Sequence, residues 1–382
     1  MKARSMIKLE HLLSPAFEYL SSKTKVKIYS AGRKKFLERF SEEEVEELIT
    51  PEKKLERTLW GIKFRSPIMN AAGMFKNGEC YELASRQGAG AYLGGTSTCD
   101  FRMGNEKLGI KHPFINLPKS HSAINYLGLP NEGIIWDGRK NENLLKKKIS
   151  QIIQTNQEYK CPTGWSIVTN PESKEYHQIE DLGILLRSVQ NAGVDFVEIN
   201  ERCPNTEEKN EGIDYLTHSL KRIIEESNRK FIKKNIPLMV KFSNDTKIEQ
   251  VPALLDILFD LKFDGVNFGN TSVDYSNLRN RINDDEKRDF DYFTKTFGGG
   301  LSGRLLKEKS LKLCEAAVEY REKMKPNFEF HVIRTGGIEN AQDILDSENA
   351  GVSMNQWFTG YWKNFGINGH EVYKKLYGDL EK

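Results

Sequence analysis

The residues best able to do chemistry are gathered in EINERCPNT (198–206), where Asn200, Cys203, Asn205 and Thr206 crowd one short segment stiffened by Pro204. A thiol there can serve as an acid or base if its surroundings move its pKa. A buried, inert cysteine is the other reading of the same residue. Lys241 sits in PLMVKFS, a run otherwise built for burial. A buried amine needs an anionic partner, and a reduced flavin carries negative charge on its pyrimidine edge. The alternative is a lysine whose stem is buried and whose head reaches solvent. Lys76 in GMFKNGE poses the same choice from a loop. RTGGI (334–338), WFTG (357–360) and GGGLSGRLL (298–306) are glycine-rich. Such turns bring backbone N–H groups up to a phosphate, especially beside a helix N-terminus, or are simply turns. No His–Asp–Ser set and no carboxylate pair accompanies them, which disfavours hydrolysis by a triad or by paired acids. A site rich in amides, hydroxyls and amines suits a flat polar heterocycle.

Eight short apolar runs alternate with helical segments and would position these groups: SPIMNAAG (66–73), AGAYLGGTST (89–98), GWSIVTN (164–170), VDFVEINERCPN (194–205), IPLMVKFSND (236–245), FDGVNFGNTS (263–272), FEFHVIRTGGI (328–338) and GVSMNQWFTG (351–360). Buried-type strands separated by helices indicate βα units and a parallel sheet. Eight of them predict a TIM (β/α)8 barrel, whose chemistry lies at the strand C-termini and whose last two loops often hold phosphate. A doubly wound sheet would show GxGxxG after its first strand, and there is none. GGGLSGRLL reads as a loop opening a helix, and INYLGLPNEG (124–133) as a loop of turn residues.

Composition bounds the rest. The chain has 382 residues, 29% of them charged and 38% hydrophobic, with a net charge of +3. That is globular, and too weakly basic to imply nucleic acid. No run of about 18 apolar residues predicts a membrane span, and MKARSMIKLEHLL does not resemble a secretory signal. The five cysteines form no CxxC pair, so no disulfide framework or metal site is expected, and a reducing compartment is. Residues 1–40 carry ten Lys/Arg against three Glu, a balance of +7, and the acidic stretch SEEEVEELITPEK follows. We read 1–58 as a helical extension and 59–382 as the main, catalytic domain. The extension's modest apolar faces (Leu9, Leu12, Leu13, Phe17, Leu20) suit either an anionic membrane surface or a solvated cap over the barrel.

From about Gly61 to Leu376 the motifs NAAGMFKNGE, GTST…GN, INYLGLPNEG, EINERCPNT, VKF, GNTS, GGGLSG, TGGI and FTG, in this order, resemble the dihydroorotate dehydrogenase family. The resemblance implies FMN across the barrel mouth and oxidation of dihydroorotate to orotate in pyrimidine biosynthesis. It makes Cys203 the general base, with Lys76 and Thr206 beside it. Lys76, Asn125, Tyr126, Leu127, Gly128, Leu129, Asn200, Asn205, Asn270 and Thr271 would bind substrate. Ala72, Gly73, Thr96, Asn170, Asn200, Lys241, Gly269, Gly299, Gly300, Gly336, Gly337, Phe358, Thr359 and Gly360 would bind FMN. Features of two family classes are mixed. Cys203, Arg102 and LGLPN look like the soluble class 1. Lys76 and the helical extension look like the membrane-associated class 2, which uses Ser as base and passes electrons to quinone. The expected location is therefore cytoplasmic, either free or peripheral at the inner face of the membrane, with quinone or another acceptor (fumarate, or NAD through a partner) and a homodimer compatible with the pattern. Gly95, Gly269, Arg334, Glu201–Arg202 and Asn355 depart from the family's habit, and Arg334 could either add charge for the phosphate or block it. They keep open another dihydropyrimidine or an enone as substrate, or an FMN barrel that only binds.

Overall fold

The computed structural model of the chain describes residues 1–134, 144–172, 175–201, 220–221 and 236–382. The apolar runs form eight parallel strands: β1 (Ile68–Asn70), β2 (Tyr92–Ser97), β3 (Thr163–Ile167), β4 (Phe196–Asn200), β5 (Leu238–Ser243), β6 (Gly265–Asn270), β7 (His331–Thr335) and β8 (Met354–Trp357). They are hydrogen-bonded in the order β1-β8-β7-β6-β5-β4-β3-β2. The seam between β1 and β2 is closed beyond the strand ends, where Gly73 N–H donates to Gly95 O at 2.7 Å and Gly95 N–H to Phe75 O at 3.2 Å. Within the seam the Asn70 amide stands in for a strand neighbour. Its Nδ2 donates to Leu93 O at 2.7 Å and its Oδ1 accepts from Leu93 N–H at 3.1 Å. This is the TIM barrel that the βα alternation predicts.

Successive strand side chains point to opposite faces, so the barrel interior is filled in layers. The lowest is apolar: Met69, Ala91, Leu93, Phe196, Met239, Ile333 and Met354 pack with Leu59 and Phe64. The last two come from an antiparallel hairpin, Arg57–Leu59 with Ile62–Phe64, that plugs the bottom. The next inward positions toward the strand C-termini are polar: Glu198, Lys241, Asn267, Thr335 and Gln356, all buried.

Two N-terminal helices lie over the opposite end: α1 (Ala3–Phe17) and α2 (Ser22–Ser41). Ser21 caps α2 by accepting from Thr24 N–H at 3.2 Å. The contacts of α2 are specific. Lys25 Nζ pairs with Asp289 at 2.5 Å in a buried site that Ser22 Oγ also enters, donating to the same carboxylate at 2.6 Å. Phe40 is wedged between Phe75, which follows β1, and Trp362 and Phe365, which follow β8, at ring distances of 6.2, 4.8 and 5.0 Å. The helical hairpin formed by α1 and α2 therefore sits on the face where the strands end. Leu12 and Tyr19 remain 75% and 92% exposed. Among the described residues no helix is long and apolar enough to cross a membrane.

One expectation changes. Gly300–Gly303 is not a loop but a strand, in an antiparallel sheet with Ser122–Asn125 and Phe114–Leu117. Gly300 pairs with Asn125, a partner 175 residues away that no local pattern signals. The segment INYLGLPNEG likewise begins inside this sheet rather than wholly in a loop.

Candidate active site

A cleft of about 970 Å³, its open mouth included, lies where the barrel strands end. Its walls come from Ala71–Gly73 after β1, Thr96 in β2, Asn200 in β4, Lys241 in β5, Gly269–Thr271 at the end of β6, Thr335–Ile338 at the end of β7 and Gln356–Gly360 at the end of β8. Lys76, Asn125, Leu127 and Leu129 close one side.

On the rim, side chains hold one another. Asn270 Nδ2 donates to Asn200 Oδ1 at 2.6 Å, and Asn200 Nδ2 donates to Thr96 Oγ1 at 3.2 Å. Thr96 Oγ1 in turn lies 3.0 Å from Ser166 Oγ. Asn244 fixes the end of β6 by donating to Asn270 O at 2.8 Å. The floor is a second network. Asn267 Nδ2 and Gln356 Nε2 both donate to Glu198 Oε2, at 2.8 and 2.9 Å. Thr335 Oγ1 lies within hydrogen-bond reach of Asn267 Oδ1 and Gln356 Oε1, at 2.9 and 3.0 Å. Lys241 Nζ lies 3.5 Å from Gln356 Oε1 and 3.5 Å from Glu198 Oε1. That Glu198 oxygen is within ion-pair distance of the amine, but it accepts no hydrogen bond.

The far end is built from backbone. Gly336 and Gly337 have φ of +128° and +75°. Ser310 Oγ pins this turn by donating to Gly336 O at 2.8 Å. The helix Thr359–Asn368 begins beside it, and its first-turn N–H groups have no intrahelical acceptor. Gly360 packs so tightly that a Cβ there would lie 2.0 Å from Ile338 O. Ser302 and Thr359 bring their hydroxyls together at 2.9 Å. A glycine turn, a helix N-terminus and hydroxyls form an anion cradle.

Acid–base groups are scarce here. Among the described residues no histidine, aspartate or glutamate lines the cleft. Burial pushes the thiols of Cys80, Cys99 and Cys161 up, and that of Cys314 up to about 12. Those four are therefore poor bases.

The sequence-predicted residues divide into three groups. Lining the cleft are Ala72, Gly73, Lys76, Thr96, Asn125, Leu127, Leu129, Asn200, Lys241, Gly269, Asn270, Thr271, Gly336, Gly337, Phe358, Thr359 and Gly360. Tyr126, Gly128, Asn170, Gly299 and Gly300 do not line it. Asn170, for example, accepts through Oδ1 from Arg102 Nη1 and from Glu172 N–H. Cys203, Asn205 and Thr206 lie outside the described residues. Sequence reasoning missed Ser302, Gly303, Leu306, Thr335, Ile338, Gln356 and Trp357, which also line it, and the floor residues Glu198 and Asn267.

A model of the family described as dihydroorotate dehydrogenase matches residues 54–381. The chain belongs to the dihydroorotate dehydrogenase family. It is thus an oxidoreductase. It is similar to the dihydroorotate dehydrogenase (quinone) of Christiangramia forsetii, 28% identical over 310 residues that cover 81% of this chain and 80% of that protein. To that of Photobacterium profundum it is 30% identical over 307 residues, covering 79% and 81%. Its fold matches the crystal structure of DHODH in complex with ferulenol from Eimeria tenella with a TM-score of 0.72, at 21% identity and 94% and 89% coverage.

Three departures from the family's habit have local physical reasons. A Cβ at Gly95 (φ +88°) would lie 2.2 Å from Ser166 O, so no side chain fits on that backbone. A Cβ at Gly269 would lie 2.2 Å from Thr335 Cβ, so the glycine in β6 makes room for the threonine in β7. We expect Gly269→Thr alone to lower the unfolding free energy, read from the denaturant midpoint, by about 1–3 kcal/mol of overpacking, and Gly269→Thr with Thr335→Gly, which removes the clashing Cβ, to recover part of it. A single variant as stable as the parent would show that the two positions do not compete. Arg334, weighed from sequence as a phosphate ligand, faces away from the cleft. It alternates with the inward Ile333 and Thr335 and is fully buried. It donates to Ser310 Oγ at 3.0 Å, Ser347 Oγ at 2.8 Å, Asp343 O at 3.2 Å and Lys307 O at 2.8 Å. Burial draws its pKa below the usual value for an arginine. Asn355 is also buried, donating to Pro67 O at 3.3 Å.

Proposed function

We propose that the chain oxidises dihydroorotate to orotate with FMN and delivers the electrons to a quinone. The observation that carries this reading is one cleft holding a chain of rim amides, a floor ammonium and a glycine–helix anion cradle, in a member of this family. The donor set fits the cofactor. Gly336, Gly337 and Gly360 N–H groups, with the Thr359 and Ser302 hydroxyls, would hold the phosphate. Lys241 would face the pyrimidine edge, where its charge opposes a developing negative charge. Ala72, Gly73 and Thr96 would frame the ring from the β1–β2 side, and Gly73 has open space where a side chain would project. Bound FMN supplies a two-electron acceptor for a hydride.

The residues then divide the work. Asn125, Asn200, Asn205, Asn270 and Thr271 match the donors and acceptors of a flat imide and its carboxylate, and Lys76 adds positive charge beside them. Cys203 removes the ring proton while the hydride leaves from the adjacent carbon, so the two depart from neighbouring atoms in a fixed geometry. Thr206 belongs to the same segment as the base. The test is an anaerobic titration of the purified yellow protein with dihydroorotate, then reoxidation by quinone, fumarate and NAD in turn. Bleaching by dihydroorotate and reoxidation by quinone support the reading. A flavin that stays oxidised under saturating dihydroorotate removes the substrate and leaves the cofactor.

Residues 1–58 take the role of a docking segment at an anionic membrane, reached from the cytoplasmic side, through which quinone enters. The basic residues of 1–40 and the exposed Leu9, Leu12 and Leu13 on α1 support this. Because Phe40 and Lys25 bind α2 to the barrel, deleting the whole extension would bare an apolar surface. Leu12→Glu with Leu13→Glu is the cleaner probe. We expect that pair to lower turnover with membrane-embedded quinone about tenfold, from lost apolar contact and added repulsion. Flavin reduction by dihydroorotate should be unchanged. Equal quinone kinetics in variant and parent would make the hairpin a cap.

A further inference from the structure

The mechanism leaves one buried charge unused. Glu198 is fully buried inside the barrel, two positions before Asn200 on the same inward face of β4. A buried carboxylate is tolerated only where it is paired and hydrogen-bonded. Its Oε2 has two amide donors, Asn267 Nδ2 and Gln356 Nε2. Among the described residues its Oε1 has only Lys241 Nζ, at 3.5 Å.

That distance is informative. It is short enough for a strong Coulombic interaction and too long for a hydrogen bond. The ammonium carries three donors. Among the described residues it meets two oxygens from below, Glu198 Oε1 and Gln356 Oε1, both at 3.5 Å. The amides of Asn267 and Gln356 hold the carboxylate down by its other oxygen, so it does not close on the amine. Thr335 completes the arrangement by steadying both amides through their carbonyls. The floor of the cleft is therefore a tethered, overall neutral pair whose positive end faces upward.

We propose that Glu198 is a positioning residue: the standing counter-ion of Lys241, tethered so that the ammonium is divided between it and the group bound above. This rests on the reading that FMN occupies the cleft. While that group is uncharged, the pair below it is neutral. When its edge gains negative charge, the ammonium is drawn upward against Glu198. Glu198 thus opposes reduction, and its removal makes reduction easier.

The test is the midpoint potential of the FMN-loaded protein, measured by equilibration with reference dyes. Glu198→Gln keeps the shape and removes the opposing charge. We expect its reduction equilibrium to shift at least tenfold toward the reduced form, about 30 mV for a two-electron couple. A potential that stays put, or falls, in Glu198→Gln overturns the proposal. Should Glu198→Gln not fold, Asn267→Ala carries the test. It keeps both charges and cuts one tether, so the carboxylate closes on Lys241 and the potential drops below that of the parent. An unchanged or raised potential in that variant overturns the proposal. A parent protein that binds no FMN sinks the cofactor reading instead, and the two failures are told apart before any potential is measured.

Discussion

Reduction of bound FMN by dihydroorotate is expected to slow by about 10²–10⁴-fold in Cys203→Ala, the range over which a general base contributes, with FMN still bound at full stoichiometry. The cleft itself narrows the choice of base. Its described lining holds amides, hydroxyls, glycines and two lysines, with no carboxylate or imidazole. The other four cysteines have thiols that burial holds protonated. Cys203 follows β4 closely, and the chain is still anchored at Glu201, whose N–H donates to Lys241 O at 3.1 Å. The thiol's segment therefore starts at the rim between Asn200 and the Lys241 strand. Cys203→Ser should retain part of the rate, because a hydroxyl can take the same proton less readily, and should move the pH dependence of reduction to higher pH. Anaerobic stopped-flow at saturating dihydroorotate reads both. Near-parental reduction in Cys203→Ala would mean that the proton leaves by another group.

How much of this was legible beforehand depends on whether the signal was local. Each barrel strand came from a run dense in buried-type residues: Phe196–Asn200 and Leu238–Ser243 lie inside VDFVEINERCPN and IPLMVKFSND, and Thr163–Ile167 begins one residue before GWSIVTN. Most of the cleft lining was legible because chemistry in this fold sits at strand ends. The strand Gly300–Gly303 was not, since its pairing with Ser122–Asn125 joins distant segments and its glycines read as a loop. For Arg334 the residue type points to phosphate in either sense, while the alternation that turns Ile333 and Thr335 inward places it outside the cleft. The same period-two rule places Glu198 beneath Asn200 and Gln356 above Met354. The floor network could have been found by applying that rule to each strand and asking which inward positions are polar. The coupling of Gly269 to Thr335 could not, because it depends on which residues of neighbouring strands lie in register.

Lys241→Met should be the most destabilising single change in the cleft, by about 3–5 kcal/mol, the usual cost of stripping one partner from a buried ion pair. The side chains of Lys241 and Glu198 are only 4% and 0% exposed, so water compensates little. The loss is larger than that of the lysine's own contacts. It strands a carboxylate among two amides, with an oxygen that accepts no hydrogen bond. Glu198→Gln with Lys241→Met removes both charges and should recover most of the deficit. Urea midpoints of the parent, the two single variants and the double variant, taken with excess FMN, close the cycle. Additive losses in the double variant would mean that the two side chains act independently. The ordering expected from the geometry is parent, double variant, Lys241→Met, because only the last leaves one buried charge without its partner.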